Sequence, residues 1–382
     1  MSMAAPLITR AEKRTPGDKL AEISWGLVMT VMVVAGIGFA VLYSVAGDLD
    51  PWASRQMIRF AFGLVLMFAV AFIGIKVWFH MVYVIYAAAL ALLVLVELKG
   101  EVGMGAQRWI DFGFFQLQPS EIMKLALVLV LARYYHGCTM EGAGKMKSLF
   151  IPLLLVAMPV ALVLRQPDLG TALLIALGAG AMMFLGGVKA RWFLGAGALG
   201  LGAIPVAWQF LHDYQKERIF TFLNPESDPL GAGYHIMQSK IALGSGGLYG
   251  KGFMQGTQAQ LNFLPEKQTD FIFTMLGEEF GLVGGLTLLA LYTIVLIYGL
   301  VIALKARHTF GRLVAMGVSV TFFLYVFINI AMVMGMLPVV GVPLPLVSYG
   351  GTAMITLMIG LGFLLNVQIH WDATLSRADA IE

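Results

Sequence analysis

Ten long apolar runs follow one another along this 382-residue chain, and they constrain its fold more than any motif does. They lie near residues 24–46, 57–75, 78–98, 119–135, 149–164, 169–187, 191–211, 271–304, 312–336 and 349–369. Each approaches or exceeds the roughly 17 to 25 residues that carry a helix across a bilayer. Hydrophobic residues make up 59% of the chain and charged residues 12%, against an apolar share of about 45–50% in soluble domains. Inside hydrocarbon every backbone amide must be satisfied within its own segment or within a closed barrel. The runs are continuous and not alternating, which excludes the barrel. The expected fold class is an all-α polytopic membrane protein of about ten transmembrane helices, with one long extracytoplasmic loop between helices 7 and 8.

Basic residues set the orientation, because short cytoplasmic loops keep Lys and Arg. With the amino end inside, the inner segments hold Arg10, Lys13, Arg14, Lys19, Lys76, Lys145, Lys189, Arg191, Lys305 and Arg307 among others, whereas the short outer connections hold Arg55, Arg59, Lys99, Arg108 and Arg165. Both termini are therefore expected in the cytoplasm, in a single membrane domain over 1–382 with tails at 1–23 and 370–382 and an outer loop at 212–270. The first apolar run is too long for a signal peptide and lacks a small-residue cleavage site, so a retained helix is expected. The net charge of +3 is spread by topology and not gathered into a patch, so no nucleic-acid partner is expected. Cys138 is the only cysteine, which excludes an internal disulfide and a multi-cysteine metal site.

Two motif matches carry little chemistry. Gly195-Ala-Gly197-Ala-Leu-Gly200 fits a dinucleotide fingerprint letter for letter, but it lies inside an apolar run and not between a strand and a helix, so helix packing is its expected role. Gly246-Gly-Leu-Tyr-Gly250-Lys251 has the wrong spacing for a phosphate loop, and Gly252 replaces the hydroxyl residue that would hold magnesium.

Three outer boundaries share a construction in which a Pro near a helix start is followed by a carboxylate: Pro119 with Glu121, Pro167 with Asp168, and Pro265 with Glu266 and Asp270. Pro suits the first helical turn and acids there favour the positive end of the helix dipole, so capping explains any one of them. Together they face one side of the membrane, where converging helix amino ends attract anions. Lys124 stands three residues after Glu121, on the same helix face; pairing with Glu121 is the structural account and guiding a phosphate the functional one. Gly277, Gly281 and Gly285 form a small-residue seam below Asp270 that permits close helix contact. The loop from 212 to 269 far exceeds an ordinary connection, and Tyr234 to Leu243 within it has helical spacing.

Arg108-Trp-Ile, Gln118-Pro-Ser-Glu121-Ile-Met-Lys124, Arg165-Gln-Pro-Asp168-Leu-Gly-Thr171, Asn224-Pro-Glu-Ser-Asp-Pro-Leu-Gly-Ala-Gly-Tyr234, Thr269-Asp270-Phe-Ile-Phe and Pro343-Leu-Pro-Leu-Val-Ser348-Tyr-Gly-Gly351 occur in order. From about Trp25 to Asn366 the chain resembles the SEDS family of shape, elongation, division and sporulation proteins. Gln238-Ser-Lys240-Ile-Ala and Leu337-Pro-Val-Val-Gly resemble its RodA-type branch more than its FtsW-type branch. The resemblance implies a peptidoglycan glycosyltransferase that polymerises lipid II beside a class B penicillin-binding transpeptidase and other elongation-complex membrane proteins, in the bacterial inner membrane. It also implies that the carboxylate at Asp270 is the essential acid. The family often has His before the Thr-Asp pair; here Gln268 stands there, so imidazole is not expected to move protons.

A sugar hydroxyl attacking the anomeric carbon of a second lipid-linked disaccharide must lose its proton, and a placed carboxylate serves as general base. The α linkage becoming β requires inversion, hence no covalent sugar-enzyme intermediate. Cations aimed at the departing diphosphate stabilise it; the candidates are Lys124, Arg108, Arg55, Lys240 and Lys267, with Glu121, Asp168 and Ser348 completing the expected substrate site. A divalent cation, Mg or Mn, could assist the diphosphate, but the sequence shows no dedicated cage. Two rivals remain at this stage: a lipid II flippase, whose polar path should reach the inner leaflet, and a non-catalytic scaffold for a transpeptidase, which has no need of intramembrane charge.

Overall fold

The computed structural model describes residues 15–103, 106–113, 116–139, 142, 144–210, 216, 220–222, 224, 232–261, 264 and 266–376. The expectations for the first fourteen residues, for most of 211–231 and for Pro265 lie outside them. Helix α1 (Pro16–Ala21) leads into α2 (Trp25–Ala46), α3 (Trp52–Phe72) and α4 (Ile75–Lys99). Three short strands follow, β1 (Glu101–Gly103), β2 (Ala106–Asp111) and β3 (Gln116–Leu117). The remaining helices are α5 (Pro119–Gly137), α6 (Met146–Arg165), α7 (Leu169–Leu185), α8 (Ala190–Phe210), α9 (Ala232–Ser245), α10 (Thr257–Gln260), α11 (Ile272–Lys305), α12 (Thr309–Val333) and α13 (Gly351–Ile369).

Every apolar run of the sequence overlaps one of these helices, and the chain is a multi-pass helical membrane protein. Helices α2, α3, α4, α6, α11, α12 and α13 are long and apolar enough to cross a bilayer. Helix α7 is shorter, at 17 residues, and α5 carries Glu121, Lys124 and Arg133. The antiparallel sheet β1-β2-β3 is an addition to the all-α expectation. Strands β1 and β3, of three and two residues, are too short to show a period-two pattern between two apolar runs.

Helices α5, α12 and α13 are buried along most of their length and form the centre of the bundle. Helix α13 lies along α3, fastened by a polar clasp at each end. At one end the Gln56 amide donates to the Ser348 carbonyl at 2.8 Å. At the other, Asn366 donates to the carbonyls of Val70, Ala71 and Ile73 at 3.0, 3.0 and 2.6 Å, satisfying the carboxyl end of α3. Between the clasps, a Cβ at Gly362 would fall 2.7 Å from the Met67 carbonyl oxygen, so this close approach needs glycine.

Helix α8 departs from expectation. A Cβ added at Gly195, Gly197 or Gly200 would meet nothing within 4 Å, so among the described residues they pack against no other helix. The small-residue run makes α8 apolar without giving it bulk to fill a groove.

Helix α11 is interrupted at Gly281, whose φ of 64° and ψ of −159° are not helical. The expected seam is therefore split: Gly277 lets Leu243 of α9 approach closely, whereas Gly281 breaks the helix. The part after the break, residues 282–305, rises about 36 Å at 1.5 Å per residue, enough to cross a bilayer by itself. The part before it, residues 272–280, forms a half-helix that begins just after Asp270.

Candidate active site

The chain around Asp270 is folded by local bonds and then pinned from a second segment. Thr269 donates its hydroxyl to the Glu266 carboxylate at 2.9 Å, and the Phe271 amide donates to the Glu266 carbonyl at 3.2 Å. The segment between α12 and α13 pins this turn: the Ser348 hydroxyl donates to the Thr269 carbonyl at 2.6 Å, and the Tyr349 amide donates to the Gln268 carbonyl at 2.9 Å. Asn329 of α12, fully buried, donates to the carbonyls of both Asp270 and Val342, at 2.9 and 2.7 Å. The Asp270 carboxylate faces Gly341, where an added Cβ would stand 3.6 Å from its Oδ2.

Asp270 keeps part of its surface accessible, yet it is surrounded closely enough that burial, reinforced by the Glu266 carboxylate, pushes its pKa up to about 7. The Arg108 guanidinium acts in the opposite direction. This places Arg108 within electrostatic reach of Asp270.

Arg108 is carried by β2 and pairs with Asp168 at 3.4 Å, while its Nη2 donates to the Pro167 carbonyl at 3.0 Å. Asp168 is the amino cap of α7, accepting from the Thr171 amide at 3.1 Å and the Thr171 hydroxyl at 2.9 Å. A Cβ at Gly170 would fall 2.4 Å from the Val340 carbonyl oxygen. The start of α7 and the Asp270 carboxylate thus flank the same Val340–Gly341 segment. Asp168, Arg108 and Asp270 converge there from three separate parts of the chain.

Glu121 and Lys124 form a second cluster, one turn into α5. Lys124 donates to Glu121 at 2.7 Å, and both bond the Tyr325 hydroxyl of α12. All three side chains are buried, so each charge is compensated where an isolated one would be costly. Grooves flank the cluster on two sides, one lined by Leu174, Ile175 and Thr321, the other by Thr321, Thr356 and Leu361.

The other sequence candidates are placed differently. Ser348 uses its hydroxyl internally, accepting from the Leu344 amide at 2.7 Å while donating to Thr269; it buttresses the site. Lys240 is exposed and lies over Gly335, just past the carboxyl end of α12, a position that suits a cation. Lys267 is buried with its ammonium 5.9 Å from the Trp52 ring centre, and burial lowers its pKa. Arg55 is exposed on the first turn of α3. Among the described residues, no group of three or more His, Cys, Asp or Glu side chains is arranged to share a metal ion.

Tyr325 and Asn329 escaped the sequence reading. Both sit in an apolar run, and only their four-residue spacing, which puts them on one helix face, signals a shared role. Glu278 and Glu279, which the sequence left unassigned, are both buried.

The model of the FtsW/RodA/SpoVE family, described as cell cycle protein, matches residues 20–372. Peptidoglycan glycosyltransferase MrdB of Escherichia coli (strain K12) is 46% identical over 359 residues, covering 94% of this chain and 96% of that protein. Stage V sporulation protein E of Bacillus subtilis is 36% identical, covering 93% and 98%. Among solved structures, a chain of a peptidoglycan synthase complex superposes with a TM-score of 0.80 at 33% identity, covering 91% of this chain and 97% of that one. The rod shape determining protein RodA of Thermus thermophilus does so with a TM-score of 0.69 at 30% identity, covering 91% and 97%. Sequence and fold agree along nearly the whole chain, which belongs to the FtsW/RodA/SpoVE family of cell cycle proteins.

Proposed function

We propose that this chain is a peptidoglycan glycosyltransferase of cell elongation, polymerising lipid II on the outer face of the bacterial inner membrane with Asp270 as general base. The relatives named as peptidoglycan glycosyltransferases, matched over almost their full length, support the activity. The observation that carries the mechanism is the environment of Asp270: a carboxylate with a pKa of about 7, partly open, beside a guanidinium and braced through its own backbone. A base is most effective when its pKa lies near the working pH.

In this reading Asp270 takes the proton from the acceptor hydroxyl as it attacks the donor's anomeric carbon, and undecaprenyl diphosphate leaves with inversion. Arg108, held by Asp168, supplies positive charge beside the reacting centre. Lys124 is closed off by Glu121 and Tyr325, so its contribution to the diphosphate is a field and not a direct bond. Both termini lie in the cytoplasm, the 212–270 loop lies outside, and the whole chain is one membrane domain. A solved relative comes from a complex that coordinates polymerization and crosslinking, which supports a crosslinking partner of the class B penicillin-binding transpeptidase type.

The test uses purified protein and labelled lipid II. Glycan polymer resolved on a gel from protein in detergent is the expected result. Movement of lipid II between leaflets of proteoliposomes, with no polymer formed, would replace this reading with the transporter.

A further inference from the structure

The interruption of α11 is bridged by another part of the chain. In an unbroken helix the amides of Leu282 and Val283 would bond the carbonyls of Glu278 and Glu279. Here the amides of Leu282 and Val283 donate to the carbonyls of Gly247 and Leu248, at 2.9 and 3.1 Å. The orphaned carbonyls of Glu278 and Glu279 accept from the amides of Lys251 and Gly252, both at 3.0 Å. The segment 246–252 is thus a strap inserted into the hydrogen-bond ladder, replacing two helical bonds with four. Glycine is needed for the fit: a Cβ at Gly246 would fall 2.0 Å from the Gly277 carbonyl oxygen, and one at Gly250 would fall 2.1 Å from that of Glu279.

The strap is locked by side chains. Glu278, fully buried, accepts from Lys251 Nζ at 2.6 Å, from the Thr257 amide and hydroxyl at 3.1 and 2.9 Å, and from the Gln258 amide at 3.2 Å. Lys251 also donates to the Thr257 hydroxyl at 2.9 Å. On the other side, Glu279 accepts from the Ser44 hydroxyl at the end of α2. The half-helix 272–280 is therefore held at its far end by the strap, and not by helical continuity with the membrane-spanning part of α11, while Ser239 of α9 bonds the Thr274 hydroxyl at 2.8 Å in its middle.

We propose that Lys251 and Glu278 are positioning residues for the glycosyl transfer, fixing through the strap the half-helix that starts just after Asp270 and so the place of that carboxylate beside Arg108 and Gly341. The inference rests on Asp270 being the base. A carboxylate displaced by about 1 Å can lower a rate about a hundredfold; Asn329 and Ser348 hold the turn itself, and the strap fixes the other end of the half-helix that follows it.

The test compares purified wild-type protein with Lys251→Met, Lys251→Arg, Thr257→Val and Asp270→Asn in lipid II polymerisation. For Lys251→Met the expected result is a kcat lowered roughly tenfold or more, with KM within about twofold. The acid limb of its pH profile, governed in the wild type by Asp270 among Glu266 and Arg108, moves toward lower pH as the carboxylate gains water. Lys251→Arg restores most of the rate, and Thr257→Val shifts both readouts in the same direction by less. A wild-type kcat and pH limb in folded Lys251→Met, with Asp270→Asn inactive, overturns the strap alone; full activity in Asp270→Asn overturns the base and the strap together. Hydrogen exchange on the wild-type protein needs no variant. The amides of 251, 252, 282 and 283 are expected to open with those of the half-helix as one unit, and exchange of the half-helix together with residues 286–305 overturns the proposal.

Discussion

The side-chain amide of Asn329 donates to the main-chain carbonyl of Asp270 at 2.9 Å, so a residue about one turn from the carboxyl end of α12 holds the backbone that presents the carboxylate. The same amide reaches the Val342 carbonyl at 2.7 Å, tying in the segment that faces the carboxylate. Replacing Asn329 by Leu strands two buried carbonyls at about 1–3 kcal/mol each. Both the melting temperature and kcat are expected to fall in Asn329→Leu, measured by thermal unfolding in detergent and by polymerisation. Unchanged values of both would remove Asn329 from the support of the site.

Activity is expected to rise with pH through about 7 and then level off, because Asp270 must be ionised to accept a proton and burial with Glu266 holds its pKa near that value. Initial rates between pH 5 and 9 measure this directly. A limb near the ordinary carboxylate range would contradict the environment described.

The same shift has a consequence for stability with a fixed sign. A carboxyl whose folded pKa lies above its unfolded value contributes stability that is complete below the unfolded pKa and is lost as pH rises through the folded one. Between about pH 4 and 7 the wild type should therefore lose stability that Asp270→Asn keeps. The melting temperature of Asp270→Asn is expected to exceed that of the wild type at pH 8, with the gap narrowing toward pH 4. A gap that widens on acidification would reverse the argument.

Arg108 opposes the upward shift of Asp270, so Arg108→Met should move the acid limb of the pH profile to higher pH while also lowering the rate. Asp168→Asn keeps a side chain able to cap α7 but releases the guanidinium from its 3.4 Å partner. It is expected to change kcat with little change in melting temperature. Equal losses of both would make Asp168 a cap alone.

Lys124→Met leaves the Glu121 carboxylate buried with only the Tyr325 hydroxyl, and breaking such a pair from one side typically costs about 3–5 kcal/mol. The double variant Glu121→Gln with Lys124→Met should recover much of the lost melting temperature without recovering polymerisation. Recovery of both would reduce the cluster to a structural role.

The sequence made the helices legible because apolar runs of bilayer length admit one backbone solution. It also placed Asp168 at a helix start and Lys124 beside Glu121, since both follow from spacing along one helix. What it concealed depends on contacts between distant segments. The seam of Gly277, Gly281 and Gly285 reads as helix packing, yet Gly281 breaks α11, because only the strap from 246–252 supplies bonds that make a break tolerable. The glycines of that strap have no helical or phosphate-binding pattern, and their need appears only against the Gly277 and Glu279 carbonyls. Gly195, Gly197 and Gly200 mislead in the other direction: a pattern suited to packing meets no neighbour in α8 among the described residues. The motif around Ser348 points to a substrate contact, whereas two backbone bonds occupy its hydroxyl.

Asp270 stands at the centre of the account, and the rate of glycan polymerisation from lipid II by purified, folded Asp270→Asn addresses it most directly. The nearly isosteric amide keeps the site's shape and removes the base, so the rate is expected to fall by about a hundredfold or more. Polymerisation by Asp270→Asn at the wild-type rate, with an unchanged pH profile, would show that this carboxylate does not take the proton.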